Sequence, residues 1–289
     1  MKFKKIFLTG GSGWLGSQII ETLLNGDDDV IENFNWSGES LKVFNYGQDN
    51  LILDKFPSEK RLSIYNGNLT LESDCKSFLS NSKDSLLIHT AGIIHPEKIK
   101  DFYTLNLEST KSLVNNAINN GVKKIVVVSS NSPLGCNDNK NEYFDENSEY
   151  NPYMNYGKSK MLMEMFLLEK IHEGHDITII RPPWFYGENM PDRQIQFYKM
   201  IQKGVFPIIG NGENVRSKAN VKNIVQGIIL ASQKPISKGK IYWIADENSY
   251  TMNEIISTIK SVLETEYNIK CSDRLIKLPF MVGQLAEYI

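Results

Sequence analysis

Thr9-Gly10-Gly11-Ser12-Gly13-Trp14-Leu15-Gly16 follows the apolar run Ile6-Phe7-Leu8 and leads into a segment carrying Ile19, Ile20, Leu23 and Leu24. A short buried strand, a glycine turn and an amphipathic helix make the opening βα unit of a nucleotide-binding sheet. Such a turn needs glycine for a tight bend, for close approach of backbone N–H groups to a pyrophosphate, and for close packing of helix on strand. Gly10, Gly13 and Gly16, with Trp14 and Leu15 between them, therefore border the expected cofactor. The helix N-terminus adds unpaired N–H donors and a partial positive charge. Asn25-Gly26 reads as the C-cap of that helix.

A second pattern lies about 140 residues on: Tyr156-Gly157-Lys158-Ser159-Lys160, on a segment that reads as a helix. Residues four apart on a helix share a face, so the phenol and the ammonium can point into one cleft. A phenol with pKa near ~10 is a poor base at neutral pH, and a fixed cation nearby lowers it. A depression of about three units corresponds to roughly 4 kcal/mol. Either pattern alone arises by chance, as an ordinary glycine turn or a solvated helix face. Their joint occurrence in this order does not read as chance.

Composition narrows the field. A chain of 289 residues buries a full core, and its net charge of −2 with no basic block excludes nucleic acid or an anionic membrane as an evident partner. Cys75, Cys136 and Cys271 have unrelated spacings, which suits a reduced cytoplasmic protein, and no cysteine–histidine spacing suggests a metal site. No apolar run reaches bilayer-spanning length.

The second strand has two candidates, Val30–Phe34 and Leu41–Tyr46; the latter fits better because Gly47-Gln48-Asp49 follows as a turn. An acidic residue at the end of this strand selects NAD and a basic one NADP. Asn45 is neither, so the choice stays open, with NAD slightly favoured. Arg61–Tyr65 alternates as a third strand, and Ser85–Ile88 and Lys124–Val128 read as a fourth and fifth. A helix is expected to end at Asn119, before Asn120-Gly121. Ile177–Ile180 is a sixth strand; Lys240–Ile244 is a late strand, and a helix over 251–265 starts with Thr251 and Glu254 as a capping box. His89 and His95 are read as structural hydrogen-bonders.

These residues resemble the extended short-chain dehydrogenases/reductases of the NAD-dependent epimerase/dehydratase type, from Met1 to about Val225 and more weakly beyond. The resemblance implies an α/β fold: a Rossmann-type doubly wound parallel sheet with a smaller C-terminal substrate domain. Residues 1–187 with 217–249 would form the first, and 188–216 with 250–289 the second. Such relatives continue with another helix or two, so part of the substrate lid is expected to be missing beyond the apolar segment Leu278–Ile289.

The resemblance also implies roles. Tyr156 is the proton acceptor, Lys160 holds the phenolate and the nicotinamide ribose, and Ser130, counted back from Gly135, is the catalytic hydroxyl, with Ser129 and Ser132 as runners-up. Asn68 and Leu69 stand near the adenine, Ala91 and Gly92 lie against the cofactor, and Asn106 ties neighbouring strands together and helps place Lys160. Arg181-Pro182-Pro183-Trp184-Phe185-Tyr186-Gly187 resembles R-P-x-x-x-Y-G, placing Pro183 or its neighbour on the nicotinamide and Tyr186 at the cleft. Ser132, Tyr186, Asn189, Arg193 and Arg216 are the substrate candidates, the arginines because a guanidinium forks onto phosphate oxygens. A solvated surface arginine is the plain alternative for both, more so for Arg193. Asn131-Ser132 stands where 4,6-dehydratases carry an Asp-Glu pair, which argues against dehydration. Arg216 begins an R-x-x-x-V-x-D element whose acid is lost in Asn220-Val221-Lys222-Asn223.

The implied activity is NAD(P)-dependent oxidation or epimerisation of a secondary alcohol or ketone, with a nucleotide sugar as the favoured small-molecule substrate. A 3β-hydroxysteroid-dehydrogenase-like or dihydroflavonol-reductase-like enzyme is the runner-up, suggested by His89-Thr90-Ala91-Gly92-Ile93-Ile94 and Trp184-Phe185-Tyr186. A cofactor-binding regulator without turnover is the alternative of another class. The helix after Tyr156 (Met161-Leu162-Met163-Glu164-Met165-Phe166-Leu167-Leu168) is apolar nearly all round. One face is expected on the sheet and another on a partner subunit, giving a homodimer.

Overall fold

The computed structural model describes residues 2–46, 54–137, 139 and 142–279. Its centre is a seven-stranded, fully parallel sheet: β1 (Lys5–Thr9), β2 (Ser40–Tyr46), β3 (Leu62–Gly67), β4 (Leu86–His89), β5 (Lys124–Val128), β6 (Ile177–Arg181) and β10 (Ile241–Trp243). The spatial order is β10-β6-β5-β4-β1-β2-β3. Every residue of β4, β5 and β6 is buried, as the unbroken apolar runs require when helices cover both faces.

Alternation along the strands sorts side chains into two cores. Ile6, Leu8, Ile88 and Val126 face α1 (Trp14–Asn25) and α7 (Val221–Gln233), meeting Ile19, Ile20, Ile224 and Ile228. Phe7, Leu87, Ile125 and Val127 face α4 (Ser109–Asn119) and α5 (Met154–His172), meeting Leu113, Val114, Met163 and Leu167. Each fully buried Leu or Ile contributes about 1.5–3 kcal/mol, so these two layers hold the sheet rigid beneath the site.

The chain runs outward from β1 to β3 and then crosses back to β4, so the strand order reverses between β1 and β4. The crevice at their carboxyl ends is where open α/β sheets bind ligands. The second strand is the later candidate. Val30 instead buries itself in the core after a turn at Asp27, and Trp36 lies beneath β1, donating from Nε1 to the Phe3 carbonyl at 2.8 Å. The Gly47-Gln48-Asp49 turn falls outside the described residues. The third strand extends through Asn66-Gly67, which pair with Asn45 and Tyr46 instead of starting a loop.

A second core sits beyond β6. The sheet β11-β9-β7 comprises Ser249–Thr251, Val215–Asn220 and Trp184–Tyr186, and a parallel pair joins β8 (Pro207–Ile209) to β12 (Ile276–Leu278). Two helices, α6 (Asp192–Gln202) and α8 (Met252–Thr265), bury Phe197, Ile201, Ile255 and Ile256 with Ile208. The capping box at α8 forms as read: Glu254 N–H donates to Thr251 Oγ1 at 3.1 Å, and Thr251 N–H donates to Glu254 Oε2 at 2.7 Å. Of the apolar C-terminal stretch, Leu278 closes β12, and residues 280–289 lie outside the described region. Among the described residues no helix is long and apolar enough to cross a membrane.

Candidate active site

The glycine turn closes over the β1/β4 crevice. Gly10 has φ +77°, and a Cβ there would lie 2.6 Å from Thr90 Oγ1 and 2.7 Å from the Ala91 nitrogen. A Cβ on Gly16 would overlap the Gly10 carbonyl oxygen. One glycine thus permits the bend and the other lets α1 press onto it. Gly13 is the N-cap of α1, with no side chain capping the helix and no acid in its first turn. The N–H groups beside Trp14 and Leu15 are left for an anion. These features fit a dinucleotide. Trp14 also reaches across: its Nε1 donates to the Glu188 carbonyl at 2.7 Å, and its ring lies 4.8 Å from that of Phe185.

At the far edge of the crevice Asn45 is buried at the end of β2 and donates from Nδ2 to Asn66 Oδ1 at 3.2 Å. Among the described residues the printed partner of Asn45 there is Asn66, an amide and not a charged group. Asn68 Oδ1 accepts from Thr70 N–H and Oγ1 at 3.0 and 2.9 Å, so its acceptor already closes the turn before Leu69. Leu69 packs against the second core layer of the sheet.

His89 is fully enclosed. Its Nδ1 lies 2.6 Å from Thr9 Oγ1 and its Nε2 lies 2.8 Å from Thr110 Oγ1. Burial, with Lys160 nearby, pushes its pKa down to about 3, so it stays neutral. It ties β1, β4 and α4 together, the structural role read from sequence. Beyond it, a short helix α3 (Ile99–Phe102) continues through a π-turn, Tyr103–Glu108, into α4. Asn106 sits in that π-turn. Its Oδ1 accepts from Ile93 N–H at 2.8 Å, and its Nδ2 donates to the Ile93 carbonyl at 3.0 Å and to Ser159 Oγ at 3.1 Å. This clamps the Ala91-Gly92 loop to α5, a loop-to-helix tie in place of the expected tie between strands.

Ser130, Tyr156 and Lys160 converge at the end of β5. Lys160 is buried, donating from Nζ to the Val128 carbonyl at 3.1 Å, and a Cβ on Gly92 would stand 3.3 Å from that nitrogen. Burial lowers its pKa to about 8, with Glu164 one turn on opposing the fall. The Tyr156 phenol hydrogen-bonds Ser130, and its ring lies 5.9 Å from that of Phe102. The expected depression of the phenol by Lys160 is not what the structure gives. Burial pushes the phenol above its ordinary range, and the bond to Ser130 is what opposes this. Ser132 lies 3.1 Å from Ser130, oxygen to oxygen, whereas Ser129 is buried and its hydroxyl has no partner among the described residues.

The substrate candidates disperse. Pro183 is buried at the end of β6. Tyr186, on β7, donates to Asp246 Oδ2 at 3.0 Å. Asn189 (φ +55°), Arg193 and Arg216 are exposed. Arg193 opens α6, and Arg216 lies on β9 opposite Tyr250. Three features escaped the sequence. Asp246 supplies the carboxylate that Asn220-Val221-Lys222-Asn223 lacks, taking Asn220 N–H on Oδ1 at 3.2 Å. Glu164 and Arg181 form a buried ion pair at 2.6 Å, joined by Tyr150, whose hydroxyl donates to Glu164 at 2.8 Å. Lys218, on β9, is buried against Trp184. Arg181 was visible as the first residue of R-P-x-x-x-Y-G and Glu164 as an acid on an apolar helix, but their pairing was not.

Comparison with known proteins agrees with this geometry. The profile of the NAD dependent epimerase/dehydratase family matches residues 6–245. A Sinorhizobium fredii protein of uncharacterised function is 40% identical over 98% of this chain and 79% of its own. An N-acetyl-alpha-D-glucosaminyl-diphospho-ditrans,octacis-undecaprenol 4-epimerase of Escherichia coli is 26% identical over 98% of this chain and 78% of its own. In fold, the chain superposes on the dTDP-glucose 4,6-dehydratase DesIV of Streptomyces venezuelae with a TM-score of 0.78, at 22% identity, covering 95% of this chain and 84% of that one. The turn at Gly10, the Ser130–Tyr156–Lys160 convergence and the parallel sheet beneath them are those of an extended short-chain dehydrogenase/reductase, and the chain belongs to the NAD dependent epimerase/dehydratase family.

Proposed function

We propose that the protein is an NAD-dependent oxidoreductase or epimerase acting on a secondary alcohol or ketone of a sugar carried on a diphosphate. The observation that carries this reading is the meeting of Ser130, Tyr156 and Lys160 beside the glycine turn. Tyr156, as phenolate, takes the proton of the substrate hydroxyl. Ser130 hydrogen-bonds the same oxygen and the phenol, and Lys160 keeps a positive charge beneath them. NAD, when bound, supplies a nicotinamide that accepts and returns hydride. Asn106 ties the loop at Ile93 to Ser159, next to Lys160 on α5, and Gly92 leaves room for the Lys160 ammonium.

NAD is preferred over NADP because Asn45 offers no cation for a 2′-phosphate. The diphosphate-linked sugar is supported by the undecaprenol-linked epimerase above and by a UDP-glucose 4-epimerase of Vibrio cholerae, 21% identical over 90% of this chain. A second reading, a hydrophobic alcohol, is supported by a 3-beta-hydroxysteroid dehydrogenase of Mycolicibacterium neoaurum, 24% identical over 98% of this chain, and by the Trp184-Phe185-Tyr186 wall. A division of labour between residues 1–187 with 217–249 and residues 188–216 with 250–289 belongs to this reading, as does a homodimer built on α5.

Tyr156→Phe tests it. Turnover should fall by at least about 10²-fold through the lost proton transfer, while native mass spectrometry still finds the dinucleotide. Unchanged function in that variant would point to a cofactor-binding regulator. A dinucleotide retained on purification favours the epimerase, whose cycle has no need to release it.

A further inference from the structure

The helix that carries Tyr156 has a weak start. Its N-cap, Tyr153, makes no side-chain capping bond, and no acid stands in the first turn. Such a start leaves backbone N–H groups short of partners. The first residue of α5, Met154, has φ +55°, in the left-handed region that a Cβ disfavours. Every other described non-glycine residue with positive φ is Asn or Asp: Asn33, Asn81, Asp84, Asn189 and Asn268. A bulky residue held there marks backbone that its surroundings must fix, and Met154 is itself 52% exposed. Two residues on stands the proton acceptor.

What fixes this turn comes from outside the helix. It presses on the Ser132 loop: the Tyr153 N–H donates to the Ser132 carbonyl at 3.4 Å, and a Cβ on Gly157 would lie 2.6 Å from that oxygen. It also meets two consecutive residues where α3 passes into the π-turn. The Tyr103 hydroxyl donates to Asn155 Oδ1 at 2.9 Å, and the Phe102 ring lies 5.9 Å from that of Tyr156, inclined at 53°. Such turns are rare and occur mostly at functional positions. This one is held in register: the Ser109 N–H reaches back to the Thr104 carbonyl, and the hydroxyls of Ser109 and Thr110 donate to the carbonyls of Leu105 and Asn106. The plain alternative is that two aromatic rings merely fill space. Against it, none of the four residues of α3 is buried. The segment therefore adds little to a core, while its two contacts fall on Tyr156 and the residue before it.

We propose that Phe102 and Tyr103 are positioning residues for Tyr156, fixing the uncapped first turn of α5 so that the phenol stays on Ser130. This rests on the proton transfer proposed above. A misplacement of about 1 Å lowers such a step by on the order of 10²-fold, so a small release of the turn is readable in turnover.

The NAD-loaded protein is assayed with UDP-glucose and with a 3β-hydroxysteroid, and amide hydrogen exchange is followed on the same samples. Tyr103→Phe and Phe102→Ala should each lower kcat at least about tenfold, with KM and NAD affinity within about threefold. Phe102→Tyr should stay within about threefold of the native rate. Exchange over residues 153–160 should quicken at least about tenfold in the first two variants, while that of Lys124–Val128 stays native. Asn155→Ala should match Tyr103→Phe, and the double variant should lose no more than either alone. Native kcat with native exchange, losses that multiply in the double variant, or a raised KM at unchanged kcat overturns the proposal. If Phe102→Ala loses protection throughout the sheet, Tyr103→Phe decides alone. If the native protein turns over neither probe, or Tyr156→Phe keeps native turnover, the proposed chemistry has failed and exchange over 153–160 still decides the placement.

Discussion

At the scale of single residues, environment sets each group's role more than identity does. Tyr156 and Lys160 share a helix face, as their spacing requires, but burial works on both: the phenol is held up and the ammonium down. Both shifts favour neutral forms, and the serine offsets only part of the phenol's rise. The spacing was legible in the sequence; the sense of the phenol's shift was not, because it depends on what surrounds the pair. His89 gives a sharper test. Its folded pKa of about 3 lies below the ordinary value of 6.5. Between those values the unfolded chain takes up a proton that the folded chain refuses, so stability is lost as pH falls through that window. The cost is about 1.4 kcal/mol per pH unit for one proton. His89→Gln should start less stable at neutral pH and show a flatter decline between pH ~6.5 and ~4.5 in urea titrations; parallel declines would refute this account.

At the scale of elements, strands announced themselves and long-range pairs did not. Lys124–Val128 is an unbroken apolar run and formed an interior strand, between β6 and β4, with those bounds. Leu41–Tyr46 prevailed over Val30–Phe34 because its run continues into the parallel ladder between β1 and β3. Glu164 and Arg181, by contrast, meet only when α5 and β6 pack together. The pair is 0% and 2% exposed, and the Arg181 guanidinium lies 5.5 Å from the Tyr150 ring and 5.4 Å from that of Trp243. Removing one partner strands a buried charge. Glu164→Gln should therefore lose about 3–5 kcal/mol in denaturant unfolding, and the double variant Glu164→Leu/Arg181→Met should regain most of it. Equal losses in the single and double variants would mean that packing, not charge, is what the pair supplies. Lys218 left no sequence signal for the same reason: a lone lysine in a polar stretch gains meaning only when Trp184 and Phe197 close around it.

At the scale of the whole molecule, the sheet, its order and its reversal at β1 and β4 follow from the glycine turn and the order of apolar runs. The partner proposed for α5 has less to cover than the sequence implied. Met163, Phe166 and Leu167 are already buried within the chain, while Met165 is 46% exposed and Met161 and Leu168 are half-buried. Light scattering at micromolar concentration should still give twice the mass of one chain; Met165→Lys should halve it, and a native protein that is monomeric throughout removes the dimer.

The indole of Trp14 belongs to both halves of the machine, since it starts the helix beneath the nucleotide turn and hydrogen-bonds the Glu188 carbonyl on the opposite bank. Whatever settles against that turn presses on a strut whose other end borders the cleft proposed for the substrate. Loading should accordingly be sequential, dinucleotide first and the proposed substrate second. Because indole emission is sensitive to its surroundings, the protein carries its own optical gauge of the first event.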